Sequence, residues 1–153
     1  MTIDVRTLLP EDRGAWDPLW TGYLSFYRSH LSAEVTDLTW QRFHDPAEPM
    51  HALGAWEGDD LLGLCHHLFH RSTWSLTTYC YLEDLFTLPA ARGRGIGRRL
   101  IEATADAALA AGAEKLYWQT DASNRTARSL YDRVGHHDGS VLYERSLAVG
   151  DPP

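Results

Sequence analysis

One stretch limits the folds open to this chain more than any other. Tyr79-Cys80-Tyr81-Leu82-Glu83-Asp84-Leu85-Phe86-Thr87 is rich in aromatic and apolar residues and reads as a strand. Leu88-Pro89-Ala90-Ala91-Arg92-Gly93-Arg94-Gly95 turns sharply, and Ile96-Gly97-Arg98-Arg99-Leu100-Ile101 begins an amphipathic helix. A strand feeding a glycine-rich loop at a helix start is a general device for holding phosphates. Unpaired backbone N–H groups point outward there, and the helix dipole favours negative charge. Four arginines, Arg92, Arg94, Arg98 and Arg99, add positive side chains with no acid among them. The stretch therefore reads as a diphosphate-binding turn within an α/β fold.

The glycine spacing narrows the kind of turn. A nucleotide P-loop requires G-x-x-x-x-G-K-[ST], and no lysine follows these glycines. A dinucleotide fingerprint requires G-x-G-x-x-G, whereas Gly93, Gly95 and Gly97 give G-x-G-x-G. The pattern that fits is [R/Q]-x-x-G-x-[G/A], as Arg92-Gly93-Arg94-Gly95-Ile96-Gly97.

Composition matters mainly through charge. The net charge is −7, from 14 basic and 21 acidic residues. Without the four loop arginines, 10 bases face 21 acids, a balance of −11. Positive charge is thus concentrated at the proposed phosphate turn, and nucleic-acid binding is not expected because no basic stripe remains elsewhere. No run approaches ~18 apolar residues, so no membrane span is expected, and the N-terminus lacks the basic-then-apolar order of a signal peptide. Cys65 and Cys80 have neither a C-x-x-C spacing nor a disulfide framework. A cytoplasmic location is the default, and the length of 153 residues suits one domain spanning 1–153.

From the N-terminus, Ile3, Val5 and Thr7 alternate with polar residues as a short strand. Pro10-Glu11-Asp12 supplies a helix start, and the helix is expected to reach about Ser29. Trp16, Trp20, Tyr23 and Tyr27 fall at helical spacing. They form either a core stripe or, in part, the wall of an acceptor pocket where an amine cation sits over an aromatic face. A shorter helix follows from about Ser32 to Phe43. Met50–Glu57 and Leu61–Arg71 flank Gly58-Asp59-Asp60 as a β-hairpin, and a third antiparallel strand spans about Thr77–Leu88. His66, His67 and His70 match no metal-ligand spacing and read as strand histidines, so no metal is expected. After the loop, Leu100, Ile101, Thr104, Ala105, Ala108 and Leu109 share one helix face, and Gly112 stops it. Lys115–Thr120 is the next strand, parallel to the one ending near Leu88 through a crossover. Asn124 caps a helix that runs to Val134, and a last strand is expected around Ser140–Leu147.

Three segments together resemble the GNAT superfamily of N-acetyltransferases: Tyr81 to Thr87, the Arg92 to Gly97 loop, and Asn124-x-x-Ala127-x-x-Leu130-Tyr131. The likeness extends from about Ala52 to Leu147 and is strongest to small-molecule members, the diamine/polyamine and microbial histone/polyamine-like branch. It implies a central mixed sheet of about six to seven strands, with an antiparallel N-terminal meander and a parallel splayed pair at the centre. About four helices flank that sheet. It also divides the chain into an N-terminal strand and acceptor-side helices over 1–49, a core over 50–147 and a tail over 148–153.

The chemistry implied is direct transfer of an acetyl group from acetyl-CoA to a primary amine of a small molecule, such as a diamine, polyamine or amino acid. An alkylammonium titrates near ~10.4, so a carboxylate beside the pocket serves both to attract the cation and to accept its proton. Glu83 is the candidate base, with Asp84 a substrate-binding candidate beside Trp20, Tyr23 and Tyr27; whether Glu83, Asp84 or water is the base stays open. Alternation allows only one of the two acids into the cleft unless a bulge intervenes. By resemblance, Tyr131 protonates the coenzyme A thiolate. The cofactor-binding residues implied are Leu85, Phe86, Thr87, Arg92, Gly93, Arg94, Gly95, Ile96, Gly97, Arg98 and Asn124, with the Leu85 and Thr87 N–H groups bonding the acetyl carbonyl and pantetheine amides. A homodimer is common in the resembling branch. The rival readings are acetylation of a protein or peptide amine, and a non-catalytic acyl-CoA-binding module that needs neither Glu83 nor Tyr131.

Overall fold

The structure is a computed structural model describing residues 2–147; the expected tail at 148–153 lies outside the described residues. The chain forms two compact units that divide after Gln119.

The first unit is built on one mixed sheet in the order β1-β2-β3-β4-β5. Its strands are β1 (Asp4–Thr7), β2 (Met50–Glu57), β3 (Asp60–His70), β4 (Tyr79–Thr87) and β5 (Lys115–Tyr117). The first four are antiparallel, and β4 and β5 are parallel. Helices α1 (Arg13–Phe26) and α2 (Ala33–Phe43) separate β1 from β2, and α3 (Ile96–Ala110) carries the crossover from β4 to β5. The expected hairpin, meander and parallel crossover all form.

Helices cover both faces of the sheet, which explains the run Leu61-Leu62-Gly63-Leu64-Cys65: a strand buried on both sides has no polar face to show. On one face, Trp16, Leu19 and Trp20 of α1 and Trp40 of α2 pack with Leu64 of β3 and Phe86 of β4. On the other, Cys65 of β3 lies 3.3 Å from Thr104 Oγ1 of α3. Ser32 starts α2 by accepting the Val35 N–H.

Two boundaries differ from expectation. Helix α1 ends at Phe26 rather than near Ser29, because Arg28 takes a left-handed φ of 53°. There the Ser29 N–H bonds the Leu24 carbonyl and the Arg28 N–H bonds that of Ser25, closing the helix. The sheet has five strands rather than six or seven. The expected last strand at 140–147 makes no ladder among the described residues, and its side chains are exposed.

The second unit holds α4 (Arg125–Val134), capped by Asn124, whose Oδ1 accepts the Ala127 N–H at 3.2 Å. Among the described residues, no helix is long and apolar enough to cross a membrane.

Candidate active site

Glu83 is the hinge of the site. In the β3–β4 ladder His67 pairs with Leu82 and His66 with Asp84, so Glu83 is an extra residue with no partner. This β-bulge resets the side-chain alternation. Before it, Cys80 and Leu82 pair with Phe69 and His67, on the α3 face with Cys65. After it, Asp84 and Phe86 pair with His66 and Leu64, on the α1 face. Glu83 is thereby freed from strict alternation, and both carboxyls act on the same phenol, that of Tyr23.

Around the acids lies an aromatic surface. Tyr23 stacks on Trp20 at 5.2 Å, tilts against Tyr27 at 4.9 Å and meets Phe86 edge-on at 6.1 Å. Burial, and then the charge of Asp84 and a hydrogen bond to it, hold the Tyr23 phenol firmly protonated. Trp20 is a buried member of the core, whereas Tyr27 is exposed; the helical stripe thus divides along its length between packing and surface. The Glu83 carboxyl is raised above its ordinary value, first by desolvation, then by the charge of Asp84. Further along the sheet, Tyr81 stacks on Tyr117 at 4.9 Å, and Tyr117 bonds His70 Nε2 at 2.7 Å. Burial and then Glu83 raise Tyr81 as well.

His66 is the residue that motif reasoning missed. It is buried, it faces Asp84 with Nδ1 to Oδ2 at 2.9 Å, and it receives the Trp16 indole N–H on Nε2 at 3.0 Å. His67 is also buried and is lowered to about 4 by desolvation and by His51 and His66. These two strand histidines lie in the packed interior because helices cover both sides of the sheet, whereas His70 is only half-buried. Among the described residues, no group of three His, Cys, Asp or Glu side chains could hold a metal ion.

Among the described residues, the outer edge of β4 has no ladder partner beyond Tyr81. Strands β4 and β5 pair only over Tyr79–Tyr81 and Lys115–Tyr117, and β4 continues to Thr87. The Leu88 N–H bonds Leu62 of β3, so alternation turns the N–H groups of Thr87 and Leu85 away from β3. The Thr87 carbonyl shares that edge and accepts Arg92 Nε at 3.2 Å.

The loop itself fits a diphosphate. Gly93 and Gly95 have φ of 80° and 77°, and a Cβ on either would meet no protein atom, so conformation alone calls for glycine. Helical bonding in α3 begins with Arg99 N–H to Gly95 O, which leaves the N–H groups of Ile96, Gly97 and Arg98 as first-turn donors. The arginines are more occupied than their spacing suggests. Arg92 lies over Phe26 and Phe86, Arg94 pairs with Glu57, Arg98 with Glu102 at 3.7 Å, and Arg99 bonds the Ile3 carbonyl. The fixed donors at this helix start are therefore backbone N–H groups rather than unattached arginines.

In the second unit, Asn124 Oδ1 accepts the capping Ala127 N–H at 3.2 Å. Tyr131 lies on α4, and its carbonyl accepts the Gly135 N–H that ends the helix.

A mixed sheet that opens at a parallel pair, beside a glycine-rich helix start, is the architecture of acyl-coenzyme A-dependent acetyltransferases. The profile of the acetyltransferase (GNAT) family matches residues 16–136, and the chain belongs to that family, which uses acetyl-CoA. It is 34% identical over 146 residues to the D-amino-acid N-acetyltransferase HPA3 of Saccharomyces cerevisiae, covering 94% of this chain and 91% of that one. It is also 35% identical over 92 residues to the thialysine N-epsilon-acetyltransferase of Bos taurus, covering 60% of this chain and 54% of that enzyme. The fold matches AAC(6')-Iy, solved in complex with a bisubstrate analogue of coenzyme A, with a TM-score of 0.83 at 16% identity, covering 97% of this chain and all (100%) of that one.

Proposed function

We propose that this enzyme transfers the acetyl group of acetyl-CoA directly to a primary amine of a small molecule: a diamine, a polyamine or an amino acid. Acetyl-CoA supplies the activated acetyl group as a thioester. The observation that carries the reading is the β4 bulge, because it frees Glu83 from strict alternation beside Asp84, and the charges of both acids reach Tyr23 and Tyr81. A pair of acids among aromatic rings attracts an alkylammonium and holds it. Glu83, raised and partly open to solvent, takes the ammonium proton directly or through water. Asp84 binds the cation. The outward N–H groups of Leu85 and Thr87 orient the acetyl carbonyl and pantetheine amides and stabilise developing negative charge. The backbone from Arg92 to Arg98 cradles the diphosphate with Asn124, and the Tyr131 phenol delivers a proton to the leaving sulfur.

The names of the relatives direct the test. Coenzyme A release followed with a thiol reagent over diamines, polyamines, thialysine and D- and L-amino acids is expected to single out one amine class. Turnover only with a peptide amine would support the protein-directed alternative. Tight acetyl-CoA binding without turnover on any amine would support an acyl-CoA-binding module. A homodimer and a cytoplasmic location belong to the same reading, and light scattering of the purified protein tests the first.

A further inference from the structure

We propose that His66 is a positioning residue of the acceptor site: a buried imidazole, fixed as its Nδ1–H tautomer by the Trp16 indole, that aims the Asp84 carboxylate at the substrate ammonium. This rests on the small-amine reading above.

The tautomer follows from donor counting. An indole nitrogen has a proton to give and no lone pair to receive one. Trp16 Nε1 stands 3.0 Å from His66 Nε2, so Nε2 presents its lone pair and the ring proton sits on Nδ1. That N–H donates to Asp84 Oδ2 at 2.9 Å. The basic nitrogen of His66 is thus spent on Trp16, in the core, which removes His66 as the proton acceptor for the amine.

The chain of contacts has little room to move. Trp16 is 0% exposed and His66 is 3% exposed. The imidazole lies among Phe43, Trp20 and Trp16, with ring centroids at 4.6, 5.0 and 5.9 Å. Trp16 is in turn held by Trp40 at 4.8 Å. The other titratable groups coupled to Asp84 include Tyr23 from α1, Glu83 at the bulge and Tyr81 earlier on β4. A carboxylate bonded through Oδ2 to a rigid donor is oriented before the cation arrives, so less ordering is left to binding. The bulge and the relay together divide the work of two adjacent acids. Asp84 is the fixed anion; Glu83 is the proton acceptor.

The first test needs no substrate. Long-range ¹⁵N–¹H NMR of the wild-type protein at pH 7 is expected to show His66 protonated on Nδ1 and bare on Nε2. A ring protonated on Nε2, or on both nitrogens, overturns the relay. The second test uses steady-state kinetics with an amine found in the panel. His66→Leu is expected to raise KM for the amine by about tenfold or more, with KM for acetyl-CoA changed less than about twofold. His66→Asn, which returns an N–H donor to Asp84, is expected to recover most of that loss. Equal losses in the two variants, or parallel shifts in both Michaelis constants, overturn the positioning role while leaving acetyl transfer intact. Absence of wild-type turnover on every amine overturns the acetyl-transfer reading itself, and with it the ammonium role, whatever the tautomer proves to be.

Discussion

A Cβ on Gly63 of β3 would stand 2.8 Å from Ile96 Cγ2, at the first residue of α3. The Phe86 carbonyl would lie 3.1 Å away and Leu100 Cδ1 3.2 Å away. Glycine at this point lets the N-terminal end of α3 settle directly on the sheet. Gly63→Val is therefore expected to destabilise the fold by about 1–3 kcal/mol through overpacking. Because the displaced residue is Ile96, acetyl-CoA affinity should fall as well. Urea unfolding with an unchanged m-value and calorimetric titration check the two effects; a variant with native stability would show that α3 yields freely.

The loop makes a second, separable demand. Gly95 precedes α3 with φ of 77° and no protein atom nearby, so its substitution probes conformation rather than packing. Gly95→Val forces a β-branched residue into the left-handed region, at a cost of about 1–3 kcal/mol. The first-turn N–H groups then lose their aim, and acetyl-CoA binding should weaken about tenfold or more by calorimetry. Unaltered affinity would discard the diphosphate assignment.

The order of elements was legible because it is written locally. Gly58-Asp59 between two apolar runs makes the hairpin, and Arg92 to Gly97 between a strand and an amphipathic run makes the helix start. The arrangement of the acids was not, because it depends on register. Leu82-Glu83-Asp84-Leu85 sets two acids side by side without marking either as extra, and only pairing with His66 and His67 places the extra residue at Glu83. The environment of His66 is equally remote, since Trp16 lies 50 residues before it and Asp84 18 after. Arg94 misled for the same reason: its partner Glu57 is 37 residues away in sequence.

Neither cysteine is expected to take part in transfer. Burial pushes the Cys65 thiol up to about 12 and the Cys80 thiol up to about 11. At pH 8 both remain thiols in the native fold, shielded from reagent as well as scarcely ionised. Ellman's reagent should detect neither cysteine before unfolding and both in denaturant. Rapid labelling of the native protein would make Cys80 a candidate nucleophile.

Tyr131 is assigned a step that follows attack, so its removal should leave binding alone. Tyr131→Phe is expected to lower kcat by about 10²-fold or more, with the dissociation constant of acetyl-CoA nearly unchanged. Stopped-flow or steady-state rates paired with calorimetry separate the two. An unaltered kcat would take Tyr131 out of the acid role.

Glu83 ties activity and stability together with opposite signs. Its folded-state pKa is raised from 4.5, by desolvation and then by Asp84, so the fold favours its protonated form. The associated stability is present below the ordinary pKa and is lost as pH rises through the raised one. At neutral pH the carboxylate is therefore a small liability to the fold, and Glu83→Gln should be neutral or stabilising by less than about 1 kcal/mol, because the side chain is solvent-screened. The same charge is what a base requires. Glu83→Gln should lower kcat/KM by about 10²-fold and flatten its rise toward alkaline pH. Thermal melts at pH 4 and pH 8 beside a full pH–rate profile read both consequences from one variant. A loss of stability at pH 8, or an unmoved profile, would pass the proton to Asp84 or to water.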